Sequence, residues 1–195
     1  MMMRKFFIAI IGLMILCIGA IIAYTHYGQQ TVETPEDLVR GVNEMMGINS
    51  PAFENGTTIP VKYTCDGEDK SVPLTWKGAP KGTKSYVLLM YDPDAPRGIF
   101  YHWILYNIPL NVTKLPEGIP KKGITPYGIQ GTNSFGRIGY GGPCPPRGAR
   151  HRYVFLLLAL DTNLKLGEGV SPGEVIKACQ GHILAYAKIV GLYGR

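Results

Sequence analysis

Residues 140–153 read YGGPCPPRGARHRY, a Gly/Pro-rich loop followed directly by a histidine that opens an apolar strand. Proline stiffens the backbone and glycine allows the main chain to approach other groups closely. An upstream stretch is organised in the same way: the apolar run Tyr86–Tyr91 ends at Asp92-Pro-Asp94-Ala-Pro96, and His102-Trp103 follows. The two stretches predict a polar pocket in which two histidines and two carboxylates meet at strand ends.

The predicted chemistry of this pocket is anion binding. A carboxylate at Asp92 can orient an imidazole, and an oriented histidine N–H is a donor suited to phosphate or carboxylate oxygens. The Gly141-Gly142 pair is expected to present backbone N–H groups to the same anion. Because the neighbouring prolines preset the loop, binding loses little ordering entropy. The pattern therefore predicts a preformed anion cradle.

Basic residues are concentrated in one part of the chain. The formal net charge is +6, and six basic residues with no acidic one occur between residues 118 and 160: Lys121, Lys122, Arg137, Arg147, Arg150 and Arg152. Arg147 and Arg150 flank the pocket loop, where positive potential attracts an anion. The chain has no basic helix and no long Lys/Arg cluster with adjacent aromatic residues, so we expect no nucleic-acid partner.

The N-terminus has the pattern of a membrane segment. Phe6–Tyr24 is an uncharged apolar run preceded by Arg4 and Lys5, and about 20 such residues cross a bilayer. The basic flank is expected to stay in the cytoplasm, which places the rest of the chain outside. A cleaved signal begins in the same way, but the run is long for one and no small-x-small site follows. We therefore expect an uncleaved anchor within residues 1–27, with secretion after cleavage as the alternative.

The segment after the anchor divides into a linker, residues 28–48, and a single domain, residues 49–195. In the linker, Thr34-Pro-Glu-Asp37 is typical of a helix start, and it predicts a helix over Pro35–Met46. Packing of that helix on the domain is favoured by the spacing of Leu38, Val42 and Met45.

In the domain, short apolar segments separated by Gly/Pro/Asp-rich turns predict a mainly β fold. The expected strands are Thr58–Tyr63, Ser85–Tyr91, Tyr101–Ile108 and Arg152–Leu160. Ser171-Pro-Gly-Glu174 predicts a capped helix, and the run Ile183–Tyr193 fits either a helix or a strand.

Three of the four cysteines, Cys65, Cys144 and Cys179, lie in the domain expected outside the membrane. An oxidising location permits one disulfide. Cys65 and Cys144 both lie in turn-rich loops near the predicted pocket, so they are the expected pair if they are not free thiols. No Cys-x-x-Cys spacing is present, and neither a metal nor a cofactor is expected.

The order of the motifs resembles that of the phosphatidylethanolamine-binding proteins, also called the Raf kinase inhibitor protein family, in their bacterial and archaeal branch. The resemblance covers Phe53–Arg195. It rests on Tyr63-Thr-Cys-Asp-Gly67, Leu74-Thr-Trp76, Asp92–Pro96, His102-Trp103, Asn107-Ile-Pro109, Gly131-Thr-Asn133, Gly141–Pro146, His151-Arg-Tyr153, Ala159-Leu-Asp161 and Gly181-His182.

The resemblance implies a central antiparallel β-sheet with a smaller flanking sheet and a few short peripheral helices. It also implies a pocket for phosphate-like head groups. The expected ligand-binding residues are Asp92, His102, Tyr140, Gly142, Pro143, Cys144, Pro145, Pro146, His151 and Tyr153. The expected supporting residues are Asp94, Pro96, Trp103 and Arg147, although Trp103 fits equally a core position on the opposite face of its strand.

Three classes of function remain open after this comparison. The preferred one is a binding or regulatory module, not an enzyme, for a phosphate-like or lipid head-group anion or an anionic peptide. The second is a serine protease inhibitor with a peptidase as partner. The third is an enzyme, in which Asp92 and His102 act as an acid/base pair, two histidines and an aspartate hold a metal, or Cys144 attacks with the help of His151.

Overall fold

Two antiparallel β-sheets account for most of the ordered structure in this computed structural model, which describes residues 34–43 and 45–195. The strands there are β1 (Gly47–Asn49), β2 (Leu74–Lys77), β3 (Ser85–Asp92), β4 (Phe100–Pro109), β5 (Lys114–Leu115), β6 (Ile124–Thr125), β7 (Gly128–Gln130), β8 (Arg150–Leu160) and β9 (Ile183–Gly194). The large sheet has the order β6-β7-β4-β3-β8-β9, and the small sheet has the order β1-β2-β5.

Two short helices accompany the sheets within the described ranges, α1 (Pro35–Leu38) and α2 (Pro172–Cys179). One hydrophobic cluster fills the space between the sheets and includes Trp76 of the small sheet and Leu88 of the large one. A second cluster lies on the other face of the large sheet, where Leu38 of α1 and Val175 of α2 pack on it. The large sheet is therefore covered on both faces, which confirms the predicted mainly β fold with a flanking sheet and few helices.

The strands expected at Ser85–Tyr91, Tyr101–Ile108 and Arg152–Leu160 are present as β3, β4 and β8. The ambiguous C-terminal run is strand β9, in which buried and more exposed positions alternate as they do on a half-covered sheet.

The strand expected at Thr58–Tyr63 is wrong. Thr58 forms an isolated bridge with Leu192, and Val61–Tyr63 is a single 3-10 turn that follows Pro60. Proline lacks a backbone N–H and so cannot continue a hydrogen-bonded ladder.

The helix expected over Pro35–Met46 is also too long. It ends after Leu38, and Gly41 adopts a positive φ of 78°. Met46 is buried and its N–H donates to the carbonyl oxygen of Tyr186, so the chain leaves the helix to join the sheet. Of the residues expected to pack, Leu38 is buried whereas Met45 is 61% exposed.

The predicted membrane segment Phe6–Tyr24 lies outside the described residues. Within residues 34–43 and 45–195, no helix is long and apolar enough to cross a bilayer.

Helix α2 begins with the predicted capping box. The Ser171 hydroxyl accepts from the Glu174 N–H, and the Glu174 carboxylate accepts from the Ser171 N–H at 2.8 Å. We expect Ser171→Ala to lower the free energy of unfolding by about 1 kcal/mol, measured by urea denaturation. Ser171→Asp, which keeps an acceptor at the cap, should stay close to wild type. Equal losses in the two variants would contradict a capping role.

Candidate functional site

A cavity of about 340 Å³ opens where β3 ends and β8 begins. Its wall combines three polar strand residues with two loops and two aromatic rings: Asp92, Ala95, Pro96, Arg97, Gly98, Ile99, Phe100, His102, Phe135, Cys144, Pro145, Pro146 and His151. The two sequence stretches that predicted a pocket therefore meet in one cavity. Seven of the residues named from the sequence lie on its wall.

Asp92 and His151 form a buried pair at this site. The Nδ1 atom of His151 lies 2.7 Å from Oδ2 of Asp92, and both side chains are more than nine-tenths buried. The other carboxylate oxygen of Asp92 accepts from the Asp94 N–H at 2.8 Å. An ionised carboxylate can only accept a hydrogen bond, so in this pair Nδ1 of His151 donates to Asp92 and Nε2 is the other ring nitrogen.

His102 is held by a different acceptor. Its Nδ1 atom lies 2.7 Å from the carbonyl oxygen of Gly141 and donates to it, because a carbonyl can only accept. Burial is the largest influence on this imidazole and lowers its pKa below the ordinary value of 6.5. At neutral pH the ring is therefore uncharged, and its Nε2 atom is a hydrogen-bond acceptor.

A β-bulge in β4 positions the His102 ring. Met90 pairs with Trp103 and Tyr91 pairs with Tyr101, so His102 is the extra residue. As a result, His102 and Trp103 both contact the cluster between the sheets, with ring centroids 5.1 Å from Tyr153 and 5.6 Å from Tyr140 respectively. The prediction that Trp103 is a core residue is confirmed. The prediction that it lies on the strand face opposite to His102 is wrong, because a bulge breaks the alternation of side chains along a strand.

Asp94 is paired on the other side of the same turn. Arg152 donates to its carboxylate through Nε at 2.9 Å and Nη2 at 2.6 Å. The guanidinium hydrogen bonds hold the pKa of Asp94 at about 2. This pair lies outside the cavity wall, so Asp94 supports the turn that carries Asp92.

The glycine pair of the pocket loop serves packing. The Gly141 N–H donates to the carbonyl oxygen of His102, and the Gly142 N–H donates to Oδ1 of Asp69 at 2.5 Å. A Cβ on Gly141 would lie 2.6 Å from the Phe135 ring, and one on Gly142 would lie 2.6 Å from the Tyr63 carbonyl oxygen. The two amides are therefore not free to hold an anion, in contrast to the expectation from sequence.

A disulfide joins Cys65 to Cys144 across 79 positions of sequence, as predicted. It ties the pocket loop to the segment that follows the 3-10 turn. Because the Cys144 sulfur is bonded, it is not available as a nucleophile for His151. Cys179 is a free, buried thiol on α2.

The remaining predicted residues lie behind or beside the cavity wall. Tyr140 is buried and donates to the Tyr63 carbonyl oxygen at 2.7 Å, and Tyr153 is buried against the His102 ring. Gly142 and Pro143 are buried in the loop, and Arg147 is exposed beyond it.

Six wall residues were not predicted as site residues: Ala95, Arg97, Gly98, Ile99, Phe100 and Phe135. Phe100 precedes His102 by two positions on β4, and strand alternation could have placed it beside that histidine. Phe135 lies in a loop with no periodic signal, 4.7 Å from Phe100 between ring centroids. Arg97 follows the predicted turn, and it makes no ion pair with any residue that the structure describes.

Two of the enzyme hypotheses named above concern an Asp92–His102 acid/base pair and a metal site. The hydrogen bond of Asp92 goes to His151 and not to His102. Among the described residues, no three His, Cys, Asp or Glu side chains are grouped as metal ligands.

Comparison with known proteins agrees with this fold. The family model for phosphatidylethanolamine-binding protein matches residues 49–194. A UPF0098 protein of Pyrococcus horikoshii is 50% identical over 162 residues, which is 80% of this chain and 81% of the relative. A UPF0098 protein of Methanothermobacter thermautotrophicus is 48% identical over 151 residues, which is 77% of this chain and 99% of the relative.

Solved structures show the same similarity. A putative phosphatidylethanolamine-binding protein homolog from Chlamydia trachomatis gives a TM-score of 0.71 at 40% identity, covering 78% of this chain and 99% of its own. YbcL of E. coli, described as a new member of the mammalian family, gives 0.73 at 33% identity, covering 77% and 99%. The chain belongs to the phosphatidylethanolamine-binding protein family, whose members are in general ligand-binding proteins. Within that family, its relatives place it in the bacterial and archaeal branch.

The disulfide should stabilise the domain. Closing a loop of 79 positions is expected to contribute about 4 kcal/mol. We expect a thiol reductant to lower the midpoint of urea unfolding of the wild type. The Cys65→Ala, Cys144→Ala double variant should start from the lower midpoint and not respond to reductant. A response by the double variant, or none by the wild type, would contradict this prediction.

The burial of His102 should make stability fall in acid. Its pKa is lower in the folded state than in the unfolded chain, so below about pH 6.5 the unfolded state binds the extra proton and is favoured. The free energy of unfolding should therefore decrease as the pH falls from about 7.5 to about 5.5.

His102→Asn provides the control for that prediction. Its amide nitrogen can still donate to the Gly141 carbonyl oxygen, but the side chain does not titrate. We expect the variant to lose less stability across the same range. Identical pH dependence in the two proteins would show that another group is responsible.

Proposed function

We propose that this protein is a binding module whose cavity takes a phosphate-bearing head group or another small phosphomonoester. The observation that carries the proposal is the placement of two differently held imidazoles, His102 and His151, on the wall of one cavity together with Arg97.

The two histidines suit different atoms of such a ligand. When protonated, His151 donates through Nε2 to a phosphate oxygen while Asp92 balances its charge, and Arg97 adds a positive charge. The Nε2 atom of neutral His102 accepts a hydrogen bond and therefore needs a donor on the ligand. A protonated phosphate oxygen or a neighbouring ammonium group supplies that donor. A phosphomonoester has its second pKa near 6, so near neutrality a fraction of it carries both an acceptor oxygen and a proton.

The rest of the wall favours a head group with a carbon skeleton over a bare ion. Ile99, Phe100, Phe135 and Pro145 present apolar surface beside the polar residues. The volume is at the small end of the range of about 300–1,000 Å³ typical of ligand pockets. The expectation of an N-terminal membrane anchor fits this ligand class, because tethering would hold the cavity near lipid head groups.

Calorimetry on the full chain in phosphate-free buffer tests the proposal. We expect phosphoethanolamine to bind, inorganic phosphate to bind more weakly, and ethanolamine alone not to bind. His151→Gln and Asp92→Asn should each weaken phosphoethanolamine binding by about 10-fold or more, the value of one charge-assisted contact.

A second histidine–aspartate pair supplies the matched control. His182 lies 2.8 Å from Asp161, but this pair is exposed and outside the cavity wall. His182→Gln should leave binding unchanged. If the wild type binds none of the three compounds, the proposal is wrong, and peptidase inhibition becomes the function to assay. If the His182 variant loses as much affinity as the His151 variant, the loss does not report on the cavity.

A further inference from the structure

A second cavity, of about 330 Å³, lies on the other face of the large sheet. It is lined by residues of the N-terminal segment and of three strands with their ends: Glu36, Val39, Tyr91, Pro93, Arg152, Val154, Leu156, Lys188 and Val190. Residues that are consecutive in sequence line different cavities. Asp92 and His151 line the first cavity, whereas their neighbours Pro93 and Arg152 line the second.

The floor of this second cavity is aliphatic. Val154 and Leu156 alternate along β8, and Val190 lies beside them on β9. Val39 contributes from the segment after α1, which closes one side. These four branched aliphatic side chains, with Tyr91 as the one aromatic lining residue, suit a hydrocarbon chain.

The rim of the second cavity carries two cations that differ in their pairing. Lys188 makes no ion pair within residues 34–43 and 45–195, and Arg152 lines the cavity while it holds Asp94. The one lining carboxylate, Glu36, already accepts from the Tyr91 hydroxyl at 2.6 Å. The Arg152 charge is balanced by Asp94 and the Glu36 carboxylate is engaged by Tyr91, so Lys188 is the cation left to attract an anion.

We propose that this second cavity is a binding site for a small amphipathic carboxylate. Its carboxylate lies between Lys188 and Arg152, and its hydrocarbon chain lies on Val154, Leu156 and Val190 against Val39. A volume of about 330 Å³ limits the ligand to a chain of modest length.

The wall that completes this site is not part of the matched family domain. The family match begins at residue 49, whereas Glu36 and Val39 come before it. The Tyr91 hydroxyl bond to Glu36 attaches this segment to the end of β3. The site is therefore specific to chains that carry such a segment, and it is separate from the head-group cavity.

Octanoate is the probe for this site, titrated into the full chain and followed by calorimetry. We expect octanoate to bind, and both octanol, which lacks the charge, and acetate, which lacks the chain, to bind at least about 10-fold more weakly, the ratio that about 1.4 kcal/mol produces. Lys188→Ala should weaken octanoate binding by a similar factor. Lys165→Ala is the matched control, because Lys165 is exposed, outside the cavity and without an ion pair in the described part of the chain.

Variants at the two cavities distinguish the two sites. His151→Gln should bind octanoate like the wild type, and Lys188→Ala should bind phosphoethanolamine like the wild type. The proposal is overturned if octanoate does not bind or if Lys188→Ala and Lys165→Ala behave alike. It is also overturned if His151→Gln, and not Lys188→Ala, loses octanoate, because the ligand would then occupy the first cavity.

Discussion

Burial of both faces of the strand pair β3–β8 is the constraint on which the rest of the structure depends. Every residue of β3 is buried, and so is β8 from Tyr153 onward. A strand in this position can carry few polar side chains in its middle, because an unpaired polar group there costs several kcal/mol. Polar residues are therefore confined to the strand ends. The antiparallel register sets Tyr91 opposite Val154, so the end of β3 at Asp92 meets the start of β8 at His151.

Strand β4 supplies the third polar residue by interrupting its own ladder. The bulge at His102 turns an additional ring toward the inner cluster without moving the neighbouring pairs Met90–Trp103 and Tyr91–Tyr101. A second irregularity near the other end of β4 involves Asn107, with a φ of 51°, whose side chain both donates to and accepts from the backbone of Leu164. Each irregularity has a hydrogen-bonding partner that fixes it: the Gly141 carbonyl for His102 and Leu164 for Asn107. The bulge is therefore a stable element of the fold, held by protein contacts.

The sequence predicted the parts of this arrangement that depend on local pattern. Long apolar runs gave β3, β4 and β8, the Ser171–Glu174 box gave α2, and strand ends gave Asp92, His102 and His151. It did not predict what depends on tertiary contacts. Nothing local shows that the Gly142 N–H is used by Asp69, that Phe135 folds back onto the wall, or that Pro60 is followed by a turn and not a strand. The bulge is equally invisible, because His102-Trp103 reads as ordinary alternation until the partner strand fixes the register.

One turn also explains why two cavities lie back to back. Residues 92 and 94 face opposite sides of the sheet, as do residues 151 and 152, so each carboxylate meets one cation-capable partner on its own face: Asp92 with His151 inside, Asp94 with Arg152 outside. The Asp94 N–H donates to Asp92, which joins the two pairs. Burying a carboxylate is unfavourable unless it is paired and hydrogen-bonded, and both requirements are met here by the protein itself. The polar groups of the first cavity are thus positioned by the desolvation demands of the fold, with Nδ1 of each histidine engaged by the protein itself.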